Sequence, residues 1–463
     1  MSSAEWPAFD IMSTDENAGT GSLSPEGKHG AAVETDGKIL GPAAALVAAE
    51  SGGGTPTPRA ASPEEASFIE KGTPAFRRTV AALFTAGFAT FALLYCVQPL
   101  MPAIAADFSL TAAASSLVLS VSTATLAFGL MVTGPLSDAV GRKPVMVTAL
   151  FGAALCTLGS AVMPGWHGVL AMRVLVGCFL SGLVAVAMTY LSEEIQPQVL
   201  GFAMGLYIAG NAIGGMLGRL VAGVIVDFVS WRMAVGLLGV LALGAAITFK
   251  RIVPDSRHFR PTPLRLRTLV EGFRVHFQDA ALPWLFVEGF LLMGGFVTLF
   301  NYITWRLLAP PYNLSQAVVG FASAVYLTGI YSSARVGALA DRLGRRRVLW
   351  AVIGVMLAGA LVTLANSLWL VLAGMLVFTF GFFGAHSVAS SWIGRRALRA
   401  RGQASSLYLL SYYMGSSIAG TSGGFFWHHW GWTGVGLFIA GLLLAALMVA
   451  RRLSRVPPLA PAA

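Results

Sequence analysis

The chain has 463 residues, 56% of them hydrophobic and only 11% charged, with a formal net charge of +10. Ordinary soluble domains carry about a quarter charged residues, so a water-soluble fold around a single core is excluded. Apolar runs of about 20 residues recur instead, long enough to cross a ~30 Å hydrocarbon core as helices.

Residues 1–75 stand apart. They hold eleven acids against four bases, a net charge of −7, and are rich in Gly, Ala, Ser, Thr and Pro, as in ESGGGTPTPRAASPEE. Such a segment buries too little apolar surface to fold, so a disordered acidic cytoplasmic tail is expected. It has no apolar stretch after a basic start, as a signal peptide would.

From there twelve spans are predicted in an all-α polytopic membrane protein: 79–101, 113–135, 145–163, 168–191, 202–226, 232–250, 282–305, 315–338, 348–365, 368–392, 403–426 and 432–450. They form an N-terminal six-helix half (76–250) and a C-terminal six-helix half (282–452). A basic cytoplasmic linker (251–281) joins them, and 453–463 forms a cytoplasmic tail. With the amino terminus inside, 23 Lys and Arg residues flank the spans on the cytoplasmic side, and only Arg232 and Arg306 on the outer side. The positive-inside rule then puts both termini in the cytoplasm.

The two halves repeat. LFTAGF (83–88) aligns with LFVEGF (285–290), FSLT (108–111) with YNLS (312–315), Leu206-Tyr207 with Leu407-Tyr408, and Trp231 with Trp432. GPLSDAVGRKPV (134–145) aligns with GALADRLGRRRV (337–348). Parallel six-span halves place a binding site between them near the bilayer midplane, with rocking of the halves giving alternating access.

With these features the chain resembles the major facilitator superfamily. The loop signature is carried by Gly134, Leu136, Asp138, Gly141, Arg142 and Lys143, and its second copy by Gly337, Leu339, Asp341, Arg342, Gly344, Arg345 and Arg346. FALLYCVQP, MTYLSEEI, EGFLLMG and AHSVASSWIG are similar to the YnfM-type bacterial inner-membrane transport proteins of its acriflavine-sensitivity branch. The resemblance implies proton-coupled efflux, and it implies that Asp138 docks at the cytoplasmic start of span 11, with Asp341 doing the same against span 5. It also implies a role in proton coupling for Arg173. The fifth span matches the antiporter motif at Gly210, Gly214 and Gly215 but has Asn211 where the motif has proline.

Charge inside a span is costly unless paired or wet and marks function by default. Glu288 replaces Ala86 of the repeat, so packing does not require it. An apolar surrounding favours its neutral form, which suits a proton carrier; the alternative is a helix-end carboxylate in cytoplasmic water. Arg173 faces Leu376 in the repeat and is either a coupling residue or a fixed interhelical donor. His386 is a further proton-relay candidate. Arg219 is expected to pair with Asp227 toward the outside, and Arg335 to join the charge network of the second motif. Tyr95, Gln98, Tyr190, Asn211, Asn301, Tyr302, Tyr326, Tyr408 and Tyr412 are the candidate cavity groups. Small residues every fourth position, Gly210, Gly214 and Gly218 on span 5 and Gly415, Ala419 and Gly423 on span 11, read as helix-packing seams.

The expected function is secondary active transport, proton-coupled efflux of small organic compounds such as amphiphilic drugs or dyes. The alternatives are a sugar or metabolite exporter of the same fold and a non-transporting membrane sensor. No HExxH, Walker A or nucleophile motif points to an enzyme. The expected partners are a small-molecule substrate, protons and membrane lipids. The chain is expected to act as a monomer in the bacterial cytoplasmic membrane, with no nucleic acid, cofactor or metal.

Overall fold

A computed structural model describes residues 68–261 and 266–457; the acidic segment through residue 67 lies outside the described residues. Local sequence sets most helix ends. The Thr73 hydroxyl accepts the Phe76 N–H at 3.2 Å and Pro74 opens α1 (Pro74–Tyr95), a cap and first-turn proline that suit a helix start. After a short α2 (Met101–Phe108), Thr111 caps α3 (Ala112–Val140) in the same way. Gly141 turns the chain at φ +112° into α4 (Arg142–Val162), a conformation open mainly to glycine. Then follow α5 (Trp166–Glu194), α6 (Pro197–Phe228) and α7 (Trp231–Ile252).

The second half repeats this order. The linker contains a helix, α8 (Leu266–Phe277), that hydropathy alone does not single out. Next come α9 (Leu282–Leu308), α10 (Gln316–Phe321), α11 (Tyr326–Leu343), α12 (Arg345–Val362), α13 (Leu368–Arg396) and α14 (Arg401–Arg455). Gly344, at φ +88°, makes the turn between α11 and α12 that Gly141 makes in the first half.

Ten helices of the described residues are long and apolar enough to cross a membrane. Twelve spans follow because α14 breaks at Gly431 (φ 57°) into two crossing segments, and because α12, which opens on three arginines, is the counterpart of α4. Two expectations change in detail. Span 8 is α10 and α11 joined by a 3-10 turn, Ala322–Val325. Span 1 lies earlier, ending at Tyr95, because Gln98-Pro99 follows and proline cannot continue the helix.

Within each half the closest seam is made of backbone. A methyl on Gly214 would lie 2.1 Å from the Phe88 carbonyl oxygen, and one on Gly415 would lie 2.1 Å from that of Phe290. Gly210 and Gly218 meet Phe84 and Ala92 on α1, while Ala419 and Gly423 meet Gly294 and Thr298 on α9. The seams α6–α1 and α14–α9 are therefore one contact built twice.

Candidate functional site

The halves meet along α6 with α10 and α14 with α3. At the end away from the described termini, Asp227 of α6 accepts the N–H groups of Gln316 (2.9 Å) and Ala317 (2.7 Å), so one half caps a helix of the other. Gly223 lies against Gly320, and Gly424 against Ala113. Thr421 and Ser417 donate to the hydroxyl and carbonyl oxygens of Ser120, at 2.7 and 2.8 Å.

At the opposite end, among the described residues, no hydrogen bond, ion pair or ring contact joins the halves. Asp138 pairs with Arg142, which also forks onto Glu193 at 2.6 and 3.0 Å. Lys143 reaches Asp255 at 2.8 Å. Asp341 pairs with Arg345 and, at 3.2 Å, with Arg395, while Arg346 donates to the Ser454 and Val456 carbonyls. Leu136, Leu339 and Arg342 are exposed, and Gly134 and Gly337 have open space or loose contact. The expected docking of Asp138 on α14 and of Asp341 on α6 is not made in this conformation, because each carboxylate is taken by arginines of its own half. Arg335 is exposed over the Tyr331 ring, 5.4 Å from its centroid, and does not enter the motif network.

Between the two ends lies a buried polar frame. Gln98 donates to Asn301 Oδ1 at 2.8 Å, and these residues are repeat mates 203 positions apart. Asn301 in turn donates to the Gly420 carbonyl at 3.4 Å, while Arg219 Nε donates to Gln98 Oε1 at 2.6 Å. Gly420 is the repeat mate of Arg219, so the frame is symmetric except for one cation. Arg219 is 3% exposed. Its guanidinium lies 4.3 Å from the Tyr95 centroid and 4.6 Å from that of Tyr326, one ring from each half, and Nη1 donates to Gly215. The expected pair with Asp227 is not formed, because Asp227 is held by the α10 N–H groups. No carboxylate among the described residues pairs with Arg219.

An aromatic wall leads away from this cation. Tyr326 packs edge-on to Phe296, Phe296 stacks on Phe382 at 3.8 Å, and Phe382 stacks on His386. The His386 ring accepts or donates a 2.9 Å bond with the Tyr408 hydroxyl and lies 4.8 Å from the Tyr412 ring. Tyr408 packs on Gly289, the residue that follows Glu288. Glu288 itself is fully buried, and neither carboxylate oxygen has a hydrogen-bond partner. It is not the water-facing helix end that its sequence position allowed.

Arg173 is fully buried too, but satisfied. It donates to the carbonyls of Val118, Leu93 and Leu94 at 3.0, 3.1 and 3.0 Å, tying α5 to α3 and α1. That is the geometry of a fixed interhelical donor. Two candidate cavity residues, Tyr190 and Asn211, lie elsewhere, while Tyr302 joins the frame at Gly420. Tyr190 donates to the Pro254 carbonyl, Tyr302 to Gly420, and Asn211 sits in the α6–α1 seam against Gly87. The interior role of Arg219 and the phenylalanine wall were missed from the sequence. Arg219 stands opposite a glycine in the repeat, and the same comparison that singled out Glu288 would have found it.

Twelve spans in two repeated halves, bonded to each other at one end around a buried polar frame, define a membrane transporter. The Major Facilitator Superfamily model matches residues 83–308 and 299–463, and the chain belongs to that superfamily, whose members are transporters and not enzymes. The inner membrane transport protein YnfM of Escherichia coli (strain K12) is 60% identical over 388 residues, 84% of this chain and 93% of that protein. The uncharacterized MFS-type transporter YybF of Bacillus subtilis (strain 168) is 48% identical over 389 residues, 84% and 96% of the two chains. A mutant of the nucleoside transporter NupG shares the fold, with a TM-score of 0.68 at 14% identity over 81% of this chain and 99% of that one.

Proposed function

We propose that this multi-pass protein of the cytoplasmic membrane, with both termini inside, exports small organic compounds by alternating access in exchange for protons carried on Glu288. One observation carries the coupling: a fully buried carboxylate with both oxygens unpartnered. An isolated charge in that position costs several kcal/mol, so the closed interior favours the neutral acid. Separation of the halves lets water reach the group, and ionisation becomes favourable. The groups packed beside it are Tyr408 of α14, seated on Gly289, and through it His386 of α13; neither is a fixed positive charge. A proton is therefore held in one state and released in another, which is the differential binding that coupling requires.

The interior also bears on the substrate. Amphiphilic cationic drugs or dyes would stack on tyrosine faces, but Tyr95 and Tyr326 already hold Arg219. This favours the metabolite reading over the cationic-drug reading. In everted vesicles, an imposed proton gradient should drive uptake of substrate, and collapsing the gradient should abolish accumulation. Glu288→Gln should lose gradient-driven accumulation while keeping substrate-for-substrate exchange. Accumulation by Glu288→Gln that still follows the gradient would show that another group carries the proton.

A further inference from the structure

Arg219 is a buried charge that the coupling scheme leaves unused. It sits in the contact between the halves, is 3% exposed, and has no carboxylate partner among the described residues. Of the five N–H donors of a guanidinium, one on Nε and one on Nη1 are bonded to Gln98 and Gly215, which leaves three without an acceptor among the described residues. Its charge is met by ring faces, Tyr95 from its own half and Tyr326 from the other. Structural need does not explain it: the repeat mate is Gly420, and Asn301 holds that position through a backbone carbonyl alone. A cavity of about 20 Å³ beside it, lined by Gln98, Phe300 and Thr304, has room for about one water.

From this arrangement we infer that Arg219 is the counter-charge of the substrate, and that the substrate is a small organic monoanion, a carboxylate on an apolar or aromatic body. When the halves part, Tyr326 leaves with its half, and the cation loses a ring face. A carboxylate replaces that contact and takes the open N–H donors as charge-assisted bonds. The wall of Phe296, Phe300 and Phe382 receives the body. A single cation suits a monoanion; a phosphate dianion would call for a second, and Arg173, the fully buried arginine, already has a carbonyl on each of its three guanidinium nitrogens. This inference rests on the transport reading but not on Glu288 as the proton carrier.

The test uses full-length protein in nanodiscs of zwitterionic lipid and three matched probe sets: benzoate, phenylacetate and 4-hydroxybenzoate, their amides, and benzyltrimethylammonium. Ligand-induced shifts of the unfolding temperature give apparent affinities. The acids should bind about tenfold or more tightly than their amides, the size expected of one charged hydrogen-bonded contact. That preference should fall to within about twofold in Arg219→Gln and be partly kept in Arg219→Lys. Amides or the ammonium binding as well as the acids, or no acid binding to wild type, would overturn the inference, and this wild-type comparison stands even where Arg219→Gln fails to fold. Glu288→Gln should keep the acid preference, so loss of coupling and loss of anion selectivity are read separately.

Discussion

Three of the buried charges, Arg173, Arg219 and Glu288, have three different surroundings, and the surroundings decide what each can do. Arg173 has a carbonyl on each guanidinium nitrogen, Arg219 is bonded through Nε and Nη1 and faced by rings, and neither Glu288 oxygen has a partner. Arg173→Met should therefore act on stability. It removes three interhelical bonds from a charged donor, each worth about 1.5–3 kcal/mol. A lowered unfolding temperature in nanodiscs is expected, with exchange per folded molecule near wild type; a folded variant without exchange would instead make Arg173 part of the transport machinery. Composition and hydropathy show that such charges exist, and the repeat shows that packing does not require Glu288. Neither reveals which carbonyls or rings surround a side chain, since all but the Gly215 carbonyl come from other helices, more than fifty residues away.

At the level of helices, the span count, the halves and their order were legible because hydropathy runs and the repeat are local, additive signals. The 3-10 turn in span 8, helix α8 and the early end of α1 were less so, since each depends on contacts or on one proline rather than on mean hydropathy. The small-residue seams give a direct test of helix proximity. Gly214→Ala places a methyl 2.1 Å from a carbonyl oxygen of α1 and should cost about 1–3 kcal/mol by overpacking. Gly205→Ala on the same helix meets nothing within 4 Å and should be neutral or stabilising by up to about 1 kcal/mol through helix propensity. Paired unfolding temperatures check both. The start of α9 depends on charge instead. Asp279 accepts from the Ala281 and Leu282 N–H groups at 2.8 and 2.9 Å and from Arg396 of α13 at 3.0 Å. Burial pushes its carboxyl up, but Arg396 and the two N–H groups outweigh that and hold it below the usual carboxylate range. A depressed folded value stabilises above the unfolded value of about 3.9 and is lost as pH falls through the folded one. The gap in unfolding temperature between wild type and Asp279→Asn should thus be constant above about pH 5 and shrink below about pH 4.

For the molecule as a whole, the two ends of the bundle are in opposite conditions. The end carrying Asp227 is bonded across the halves, whereas the motif carboxylates Asp138 and Asp341 are bonded only within their own halves. The sequence identified the motif pair through family resemblance, but it did not reveal Asp227 as a cap, because nothing in a single acidic residue says which helix start it will meet. If both ends bias one equilibrium, substitutions at them should shift it in opposite directions. Asp227 is exposed, so loss of its charge in Asp227→Asn should be worth about 1 kcal/mol, a roughly fivefold shift toward opening at that end. Asp138→Asn should shift the population the other way, toward the conformation described here, since it weakens a contact expected only when the motif end closes; turnover should slow while substrate affinity stays near wild type. Spin labels on a background lacking the three native cysteines report both. A pair at Val229 and Phe321 spans one end and a pair at Val140 and Leu398 the other, all four exposed. In Asp227→Asn the first distance should lengthen and the second shorten, and in Asp138→Asn the reverse should hold. Both distances changing with the same sign would mean that the halves loosen without rocking, and alternating access in this chain would need a different pivot.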